Sequence, residues 1–167
     1  MTLSKKIKNK GIYIIGAGGH ALSCIDVIES CGYKIKGVYA LKNDLGKNLL
    51  GNKVKGTQNE LSHIIKPSDN LHIAVGHTYK KNERTEIYKL FKNKCHFPTI
   101  VSPNSYISKY STIDIGCIIM HGAKVGVDSS IGKHTIINTN ASIDHNSMVG
   151  SFSHISTSVT INGNVKI

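Results

Sequence analysis

Residues 101–167 read VSPNSY ISKYST IDIGCI IMHGAK VGVDSS IGKHTI INTNAS IDHNSM VGSFSH ISTSVT INGNVK I, and an aliphatic residue opens every group of six. The members of this series are Val101, Ile107, Ile113, Ile119, Val125, Ile131, Ile137, Ile143, Val149, Ile155, Ile161 and Ile167. A period of six fits neither an α-helix nor a simple alternating strand. It predicts short strands joined by tight corners and wound into a β-solenoid, with each aliphatic side chain pointing to a common axis.

A second column of residues supports the same interpretation. Small or β-branched residues follow the aliphatic series by four positions: Ser105, Ser111, Cys117, Ala123, Ser129, Thr135, Ala141, Ser147, Ser153, Val159 and Val165. Such residues fit a cramped inner position beside each corner, and several glycines lie where a turning backbone needs room. A sandwich of ordinary strands would need strands and loops of varied length, so the fixed period excludes it.

The N-terminal half of the chain reads as a strand, a glycine turn, a helix and a second strand. Residues 12–15 (IYII) predict a short buried strand, and residues 16–20 (GAGGH) a tight turn. An apolar stripe of helical spacing follows: Ala21, Leu22, Ile25, Val27 and Ile28. This helix ends near Gly32, and residues 33–39 predict the second strand.

Further along, residues 71–76 predict another buried strand and residues 82–92 a basic amphipathic helix. Strands that alternate with helices are typical of a parallel sheet. We therefore expect a small Rossmann-like α/β domain over residues 1–98, joined near Pro98 to a β-helix over residues 99–167.

The glycine turn has two interpretations. A turn between a strand and a helix places backbone N–H groups at the helix N-terminus, where they can bind a phosphate. However, position 21 is Ala and no acidic residue closes the second strand, so the dinucleotide fingerprint is incomplete. A nicotinamide-dependent oxidoreductase is therefore disfavoured, while a purely structural turn remains open.

The charge of the chain is concentrated in its first hundred residues. The formal net charge is +11, and residues 101–167 hold 4 Lys against 3 Asp, so +10 belongs to the first hundred. The lysines there are scattered and are not interleaved with aromatic residues, which argues against a nucleic-acid surface. They indicate a solvated surface or the attraction of an anionic small molecule.

Two further properties limit the class of protein. No apolar run approaches the length of a membrane-spanning helix, so we expect no membrane insertion. The four cysteines, Cys24, Cys31, Cys95 and Cys117, have no metal-ligand spacing, which predicts no metal site and suits a reducing cytoplasm.

The combination of these parts resembles one family. A domain that opens IYIIGAGGH (residues 12–20), a strand IAVG (residues 73–76) with a following basic helix, and hexapeptide repeats are similar to the bacterial sugar acetyltransferases. That family includes sialic acid O-acetyltransferases and nucleotide-activated amino-sugar N-acetyltransferases. The resemblance implies a left-handed β-helix of three hexads per coil, a homotrimer, an N-terminal domain that holds a sugar nucleotide, and acetyl-CoA bound between neighbouring β-helices.

The same resemblance implies roles for individual residues. Acetyl transfer from a thioester needs a base and donors for the developing oxyanion, and histidine suits the base role near neutral pH. His145 matches the family's base, His154 its contact to the acetyl donor, and Gly163 the N–H that meets the thioester carbonyl. Substrate-binding positions are implied at Gly16, Gly18, Gly19, His20 and Gly76. His121 and His134 are expected to point outward.

The sequence also departs from the family. The residue after the catalytic histidine is usually acidic, and here it is Asn146, which predicts weaker activity because an amide stabilises an imidazolium less. Asp144 is expected to point the other way along the strand. Residues 40–44 (ALKND) replace an acidic pair after the second strand. The sequence reaches Ile167 in mid-solenoid, where family members continue, so we expect a C-terminally truncated homologue.

Two functions follow from these observations. The first is an acetyl-CoA-dependent acetyltransferase acting on an amino or hydroxyl group of a bacterial surface sugar or nucleotide sugar. The alternative is a catalytically impaired homologue that acts only as a sugar-nucleotide-binding or assembly subunit. Outward apolar residues of the solenoid, expected at Ile115, Ile118, Ile136 and Met148, favour self-association in either case.

Overall fold

The structure is a computed structural model, and it describes residues 11–76 and 82–167. Six of the scattered lysines of the first hundred residues lie outside the described residues: Lys5, Lys6, Lys8, Lys10, Lys80 and Lys81. The chain divides into two compact units, Met1–Pro98 and Thr99–Ile167. The first is a Rossmann-like α/β unit and the second a left-handed parallel β-helix. Within the described ranges, no helix has the length and apolar character needed to cross a lipid bilayer.

A five-stranded sheet organises the N-terminal unit. Its strands are β1 (Ile12–Ile15), β2 (Ile35–Ala40), β3 (Asn48–Leu49), β4 (Asn52–Thr57) and β5 (Asn70–Ile73). They lie in the order β3-β4-β2-β1-β5, and all neighbours are parallel except β3 and β4. The helices are α1 (Gly19–Ser30), α2 (Gln58–Ile64) and α3 (Glu83–Phe91). The apolar β1 is central because it pairs with β2 on one side and β5 on the other.

The predicted order of strand, turn, helix and strand is confirmed, with small shifts. β2 begins at Ile35 rather than Tyr33, and β5 ends at Ile73, three residues before Gly76. Leu22 was expected in the buried stripe of α1, but it is 38% exposed. Its position is about 100° around the helix from the fully buried Ala21, so it turns out of the interior face.

Eleven two-residue strands form the β-helix. They are β6 (Ile100–Val101), β7 (Tyr106–Ile107), β8 (Thr112–Ile113), β9 (Ile118–Ile119), β10 (Lys124–Val125), β11 (Ser130–Ile131), β12 (Ile136–Ile137), β13 (Ser142–Ile143), β14 (Met148–Val149), β15 (His154–Ile155) and β16 (Thr160–Ile161). Each strand pairs in parallel with the strand 18 residues along, as Val125 pairs with Ile143 and Ile143 with Ile161. The strands therefore stack into three flat sheets: β16-β13-β10-β7, β14-β11-β8 and β15-β12-β9-β6.

The aliphatic series fills the core of the β-helix, as its period predicts. Members from Ile119 to Ile161 are buried, and Ile107 and Ile113 pack against the same cluster. The end members Val101 and Ile167 are exposed, since each lies at one end of the stack.

Hydroxyl groups of the small column join one coil to the next. The side chains of Thr99, Ser129, Thr135 and Ser147 each donate a hydrogen bond to a carbonyl 15 residues along, at 2.7–2.9 Å. The acceptors are the carbonyls of Asp114, Asp144, Gly150 and Asn162. The column is small because it is cramped, and it is often hydroxylated because buried corner carbonyls need donors.

The structure shows a third series of six-residue period, of residues with positive φ, which the sequence analysis did not identify. Residues one position before the small column adopt positive φ: Gly116, Gly122, Asp128, His134, Asn140, Asn146, Phe152, Ser158 and Asn164. Gly, Asn and Asp adopt this conformation most readily, and they hold six of the nine positions. The recurrence of these residue types every six positions was the signal that could have predicted the column.

Two of the four apolar residues expected on the outside are buried. Ile115 and Met148 are exposed, but Ile118 and Ile136 are at most 2% exposed. They stand in register in one sheet, where Ile118 lies between Ile100 and Ile136. Register alone does not bury them, because Tyr106 and Met148 stand in equally registered stacks on the other two sheets and are exposed. The outward positions of the three sheets therefore differ in a way that a six-residue period does not reveal.

Replacing a core isoleucine of the β-helix should be costly. Ile137 is fully buried in the aliphatic column, so Ile137→Ala should lower the free energy of unfolding of this unit by about 2–5 kcal/mol. The matched control is Ile115→Ala, at an exposed corner, which should change it by less than about 0.5 kcal/mol. Denaturant unfolding followed by circular dichroism measures both; equal losses would contradict the assigned core.

Candidate functional site

His145 lies at the corner between β13 and β14. Its backbone N–H donates to the Asp144 carboxylate at 2.8 Å, which closes the corner. The carboxylate of Asp144 thus bonds the backbone of His145 rather than its ring. The side chain of His145 is exposed, so its ring is accessible to a ligand.

The side chain of Asn146 contacts the ring of His145 and a third residue. Its Oδ1 lies 2.8 Å from His145 Nδ1, and its Nδ2 donates to Asp128 Oδ2, also at 2.8 Å. Asp128 stands 18 residues earlier, at the same corner of the preceding coil. The sequence analysis did not single out Asp128, although the one-coil spacing from Asn146 was available as a signal.

The ring of His145 lies flat against Gly163 of the following coil. A Cβ built on Gly163 would stand 2.5 Å from both Cε1 and Nε2 of the ring. No side chain fits there without displacing the imidazole. The structure therefore brings together His145, Asn146 and Gly163, three of the residues that the resemblance singled out.

The N–H of Gly163 points away from the interior of the β-helix. Ser147 Oγ, fully buried, donates to the carbonyl of Asn162 at 2.9 Å. In a trans peptide the N–H lies opposite the carbonyl, so the Gly163 N–H faces outward, on the side of the His145 ring. No described residue accepts a hydrogen bond from this N–H. An exposed imidazole and an N–H donor that no described residue accepts thus stand side by side.

His154 begins β15, across the β8-β11-β14 face from the corner of His145. Its Nε2 lies 3.0 Å from Asn138 Nδ2, and Asn138 Oδ1 accepts from the N–H of Thr139. This second bond fixes the amide so that Nδ2 donates to the ring. The neutral His154 ring therefore carries its proton on Nδ1.

A groove of about 650 Å³ lies on the β8-β11-β14 face. Its lining includes Thr112, Asp114, Ser130, Met148, Gly150 and Lys166. Met148 is half exposed on this face. The groove has polar and apolar walls, so it can take a ligand with both characters.

The other two histidines of the β-helix do not both point outward as predicted. His134 is 5% exposed, stacks on Phe152 with ring centroids 5.2 Å apart, and lies over Gly116. It is buried because its ring lies between Gly116 of the preceding coil and Phe152 of the following coil. His121 is half-buried, and its Nδ1 lies 2.7 Å from Ser102 Oγ.

The glycine turn of the N-terminal unit is tightly packed at its first glycine and open at the two that follow. A Cβ on Gly16, whose φ is +130°, would stand 2.5 Å from the carbonyl oxygen of Ala74 at the end of β5. Gly18 and Gly19 are exposed, with open space around their α-carbons. Their N–H groups donate to no described residue, so they are available to an anion.

His20 and Gly76 also meet at this end of the sheet. A Cβ on Gly76 would stand 3.1 Å from the Cβ of His20, so glycine permits this close approach. Burial raises the pKa of the Cys24 thiol far above its ordinary value, more than the charge of Arg84 lowers it. The thiol is therefore protonated, and its Sγ lies 3.3 Å from His20 Nε2.

The sequence analysis missed a lysine, Lys47, whose side chain lies beside the glycine turn. Lys47, between β2 and β3, donates from Nζ to the carbonyl of Ala17 at 2.6 Å, and Asp44 lies 3.8 Å from the same nitrogen. Nothing in its local sequence distinguishes Lys47 from the other lysines. Within the part of the chain that the structure describes, no group of three or more His, Cys, Asp or Glu residues is placed to hold a metal ion.

Comparisons with known proteins agree with both units. Residues 11–89 match the family model of the PglD N-terminal domain. The acetyltransferase domain of PglB from Neisseria gonorrhoeae, solved with acetyl coenzyme A, has a TM-score of 0.83 and 26% identity over 95% of this chain and 76% of that one. PerB from Caulobacter crescentus, solved with CoA and GDP-perosamine, has a TM-score of 0.82 and 25% identity over 93% and 73%. No curated protein matches the sequence.

The Rossmann-like unit followed by a left-handed β-helix defines an acyltransferase architecture. Residues 11–89 are similar to the PglD N-terminal domain family and both units are similar to the PglB domain, which supports a relationship to the bacterial sugar acetyltransferases.

A methyl group at position 163 should displace the ring of His145. Gly163→Ala should move the His145 ring resonances in NMR spectra because the ring has to leave its contact, and since the exposed ring can turn into solvent, the free energy of unfolding should fall by less than about 1 kcal/mol. Thr157→Ala, at the equivalent and exposed position of the preceding hexad, is the matched control and should change neither. Unchanged His145 resonances in Gly163→Ala would show that the ring does not rest on Gly163 in solution.

Proposed function

We propose that this protein transfers an acetyl group from acetyl-CoA to an amino or hydroxyl group of a nucleotide-activated bacterial sugar. The observation that carries the proposal is the corner where the His145 ring rests on Gly163 beside an outward N–H that no described residue accepts. PerB was solved with CoA and GDP-perosamine, and the PglB domain with acetyl coenzyme A, which supports the same classes of donor and acceptor.

In the proposed reaction the acceptor attacks the thioester carbonyl directly. Nε2 of His145 takes the proton from the attacking amine or hydroxyl, and the Gly163 N–H stabilises the negative charge on the carbonyl oxygen. A carbon–nitrogen or carbon–oxygen bond forms, the carbon–sulfur bond breaks, and the proton passes to the leaving CoA thiolate. No covalent enzyme intermediate is needed, because attack by the acceptor itself completes the transfer.

The N-terminal unit is the proposed site of the sugar nucleotide. Free N–H groups at Gly18 and Gly19 suit the phosphates, and Lys47 adds positive charge beside the turn. Gly16 and the contact between His20 and Gly76 shape the carboxyl end of the sheet. These residues, rather than the incomplete dinucleotide motif, support nucleotide binding.

The β8-β11-β14 face is the proposed site of acetyl-CoA and of contact between subunits. His145 precedes β14 at one corner of this face, His154 begins β15 on the next sheet, and the groove lies on the face itself. His154, which the resemblance gives as the contact to the acetyl donor, begins β15 beside this face. The half-exposed Met148 gives the face an apolar centre, as a homotrimer interface requires.

The proposed base is tested by the release of CoA thiol. Wild-type protein with acetyl-CoA and a panel of amino-sugar nucleotides and sialic acid should release free thiol, and His145→Ala should slow release by at least about 100-fold. His121→Ala is the control, a half-buried histidine at the equivalent position of another corner, and should retain most of the rate.

The outcomes of this assay separate the alternatives. Release that survives His145→Ala would exclude this residue as the base. Calorimetric binding of a sugar nucleotide without affinity for acetyl-CoA would instead support a binding or assembly subunit.

The proposed trimer is tested by its mass in solution. Light scattering at micromolar concentration should give about three times the 18.1 kDa of one chain. Met148→Glu should shift the mass towards the monomer because it places a charge at the apolar centre of the face. Tyr106→Glu, an equally outward position on another sheet, is the control. A wild-type monomer would refute the trimer.

A further inference from the structure

We propose that Asp128 is a positioning residue for the histidine: acting through the Asn146 amide, its carboxylate holds His145 in the tautomer whose Nε2 is free to accept a proton. The inference rests on the proposed function for its consequence, because a base needs an unprotonated nitrogen at the reacting side. The tautomer of His145 itself is inferred from two hydrogen bonds that join this corner to the same corner of the preceding coil.

The first step concerns the direction of the Asn146 amide. An ionised carboxylate can only accept hydrogen bonds, so the group that faces Asp128 Oδ2 at 2.8 Å has to be the amide nitrogen. The reverse orientation would set the amide oxygen against the carboxylate, lose a charge-assisted hydrogen bond and place two acceptors in contact. Asp128 therefore determines which end of the amide reaches the ring.

The second step follows for the imidazole. With Nδ2 turned to Asp128, the atom that meets His145 Nδ1 at 2.8 Å is Oδ1, an acceptor. Nδ1 has to carry the proton, and in the neutral ring Nε2 then holds the lone pair. Nε2 is also the nitrogen that lies against Gly163, next to the outward N–H. The proton acceptor thus faces the same space as the proposed oxyanion donor.

The other nearby carboxylate does not perform this task. Asp144 Oδ1 accepts from the backbone N–H of His145 at 2.8 Å and so closes the corner. The carboxylate missing directly after the histidine is replaced by one from the preceding coil, relayed by Asn146. The prediction of weaker activity considered Asn146 alone and not its hydrogen bond to Asp128.

Substitutions at the corner test the proposal through kinetics. Asp128→Asn keeps the positive φ of +57°, but the new amide can either donate or accept, so it no longer dictates the orientation of Asn146. Asp128→Gly removes the side chain without backbone strain. Both should lower kcat for acetyl transfer by about 10- to 100-fold, the range for a partner that orients a histidine, with KM for acetyl-CoA unchanged.

Two further variants distinguish positioning from general damage. Ser158→Gly removes a side chain at another positive-φ corner and should leave kcat unchanged. Asn146→Asp alone should also lower kcat, since it sets two carboxylates against each other. Combining Asp128→Asn with Asn146→Asp should recover most of the lost kcat. The carboxylate at position 146 then accepts from His145 directly, and the amide at position 128 donates to that carboxylate. Wild-type kcat in both Asp128 variants would overturn the proposal.

A measurement without turnover keeps this test separate from that of the proposed function. Nitrogen-15 NMR of the histidine side chains, assigned with His145→Ala, should show the neutral His145 ring of the wild type protonated at Nδ1. Asp128→Gly should give a mixture of tautomers, and Ser158→Gly the wild-type state. A wild type protonated at Nε2 would overturn the proposal. So would the Nδ1-protonated tautomer of the wild type if both Asp128 variants retained it. The expected tautomers without thiol release would support the positioning role and refute the proposed function.

Discussion

The exact one-coil spacing between stacked strands is the constraint on which the β-helix depends. Parallel pairing places each residue against the residue 18 positions along, as Val125 lies against Ile143 and Ile143 against Ile161. Buried aliphatic side chains can then stack without a gap, and backbone N–H groups find carbonyls of the next coil. An insertion of one residue would turn every later side chain to the wrong side, so the period is strict.

The same spacing builds the candidate site. Asp128, Asn146 and Asn164 follow one another at one-coil intervals, and so do His145 and Gly163. The histidine needs a glycine in the next coil for its ring and a partner in the preceding coil for its tautomer. A hydroxyl of the small column, Ser147, orients the peptide whose N–H faces the ring. Residues that stabilise the stack therefore also position the chemistry.

The N-terminal unit depends on a different constraint, the close approach of its glycines to neighbouring elements. Gly16 passes within contact of Ala74, and Gly76 within contact of His20, at the carboxyl ends of adjacent strands. Ligands of open α/β sheets bind at such ends, and the free N–H groups of Gly18 and Gly19 lie there too. The family match over residues 11–89 agrees with this placement.

Sequence alone determined the β-helix and the boundaries of β1 and α1 within a few residues, because a period of six is countable. The coil of 18 residues, which places Gly163 one coil after His145, came from the resemblance to the family, and the strand pairing agrees with it. Tertiary structure decided the rest. Ile118 and Ile136 are buried on one sheet although Met148, in register on another, is exposed, and His134 is buried because its ring lies between Gly116 and Phe152. Asp128 joined the site because side-chain direction at a corner depends on φ and on contacts between coils, which a linear pattern does not carry.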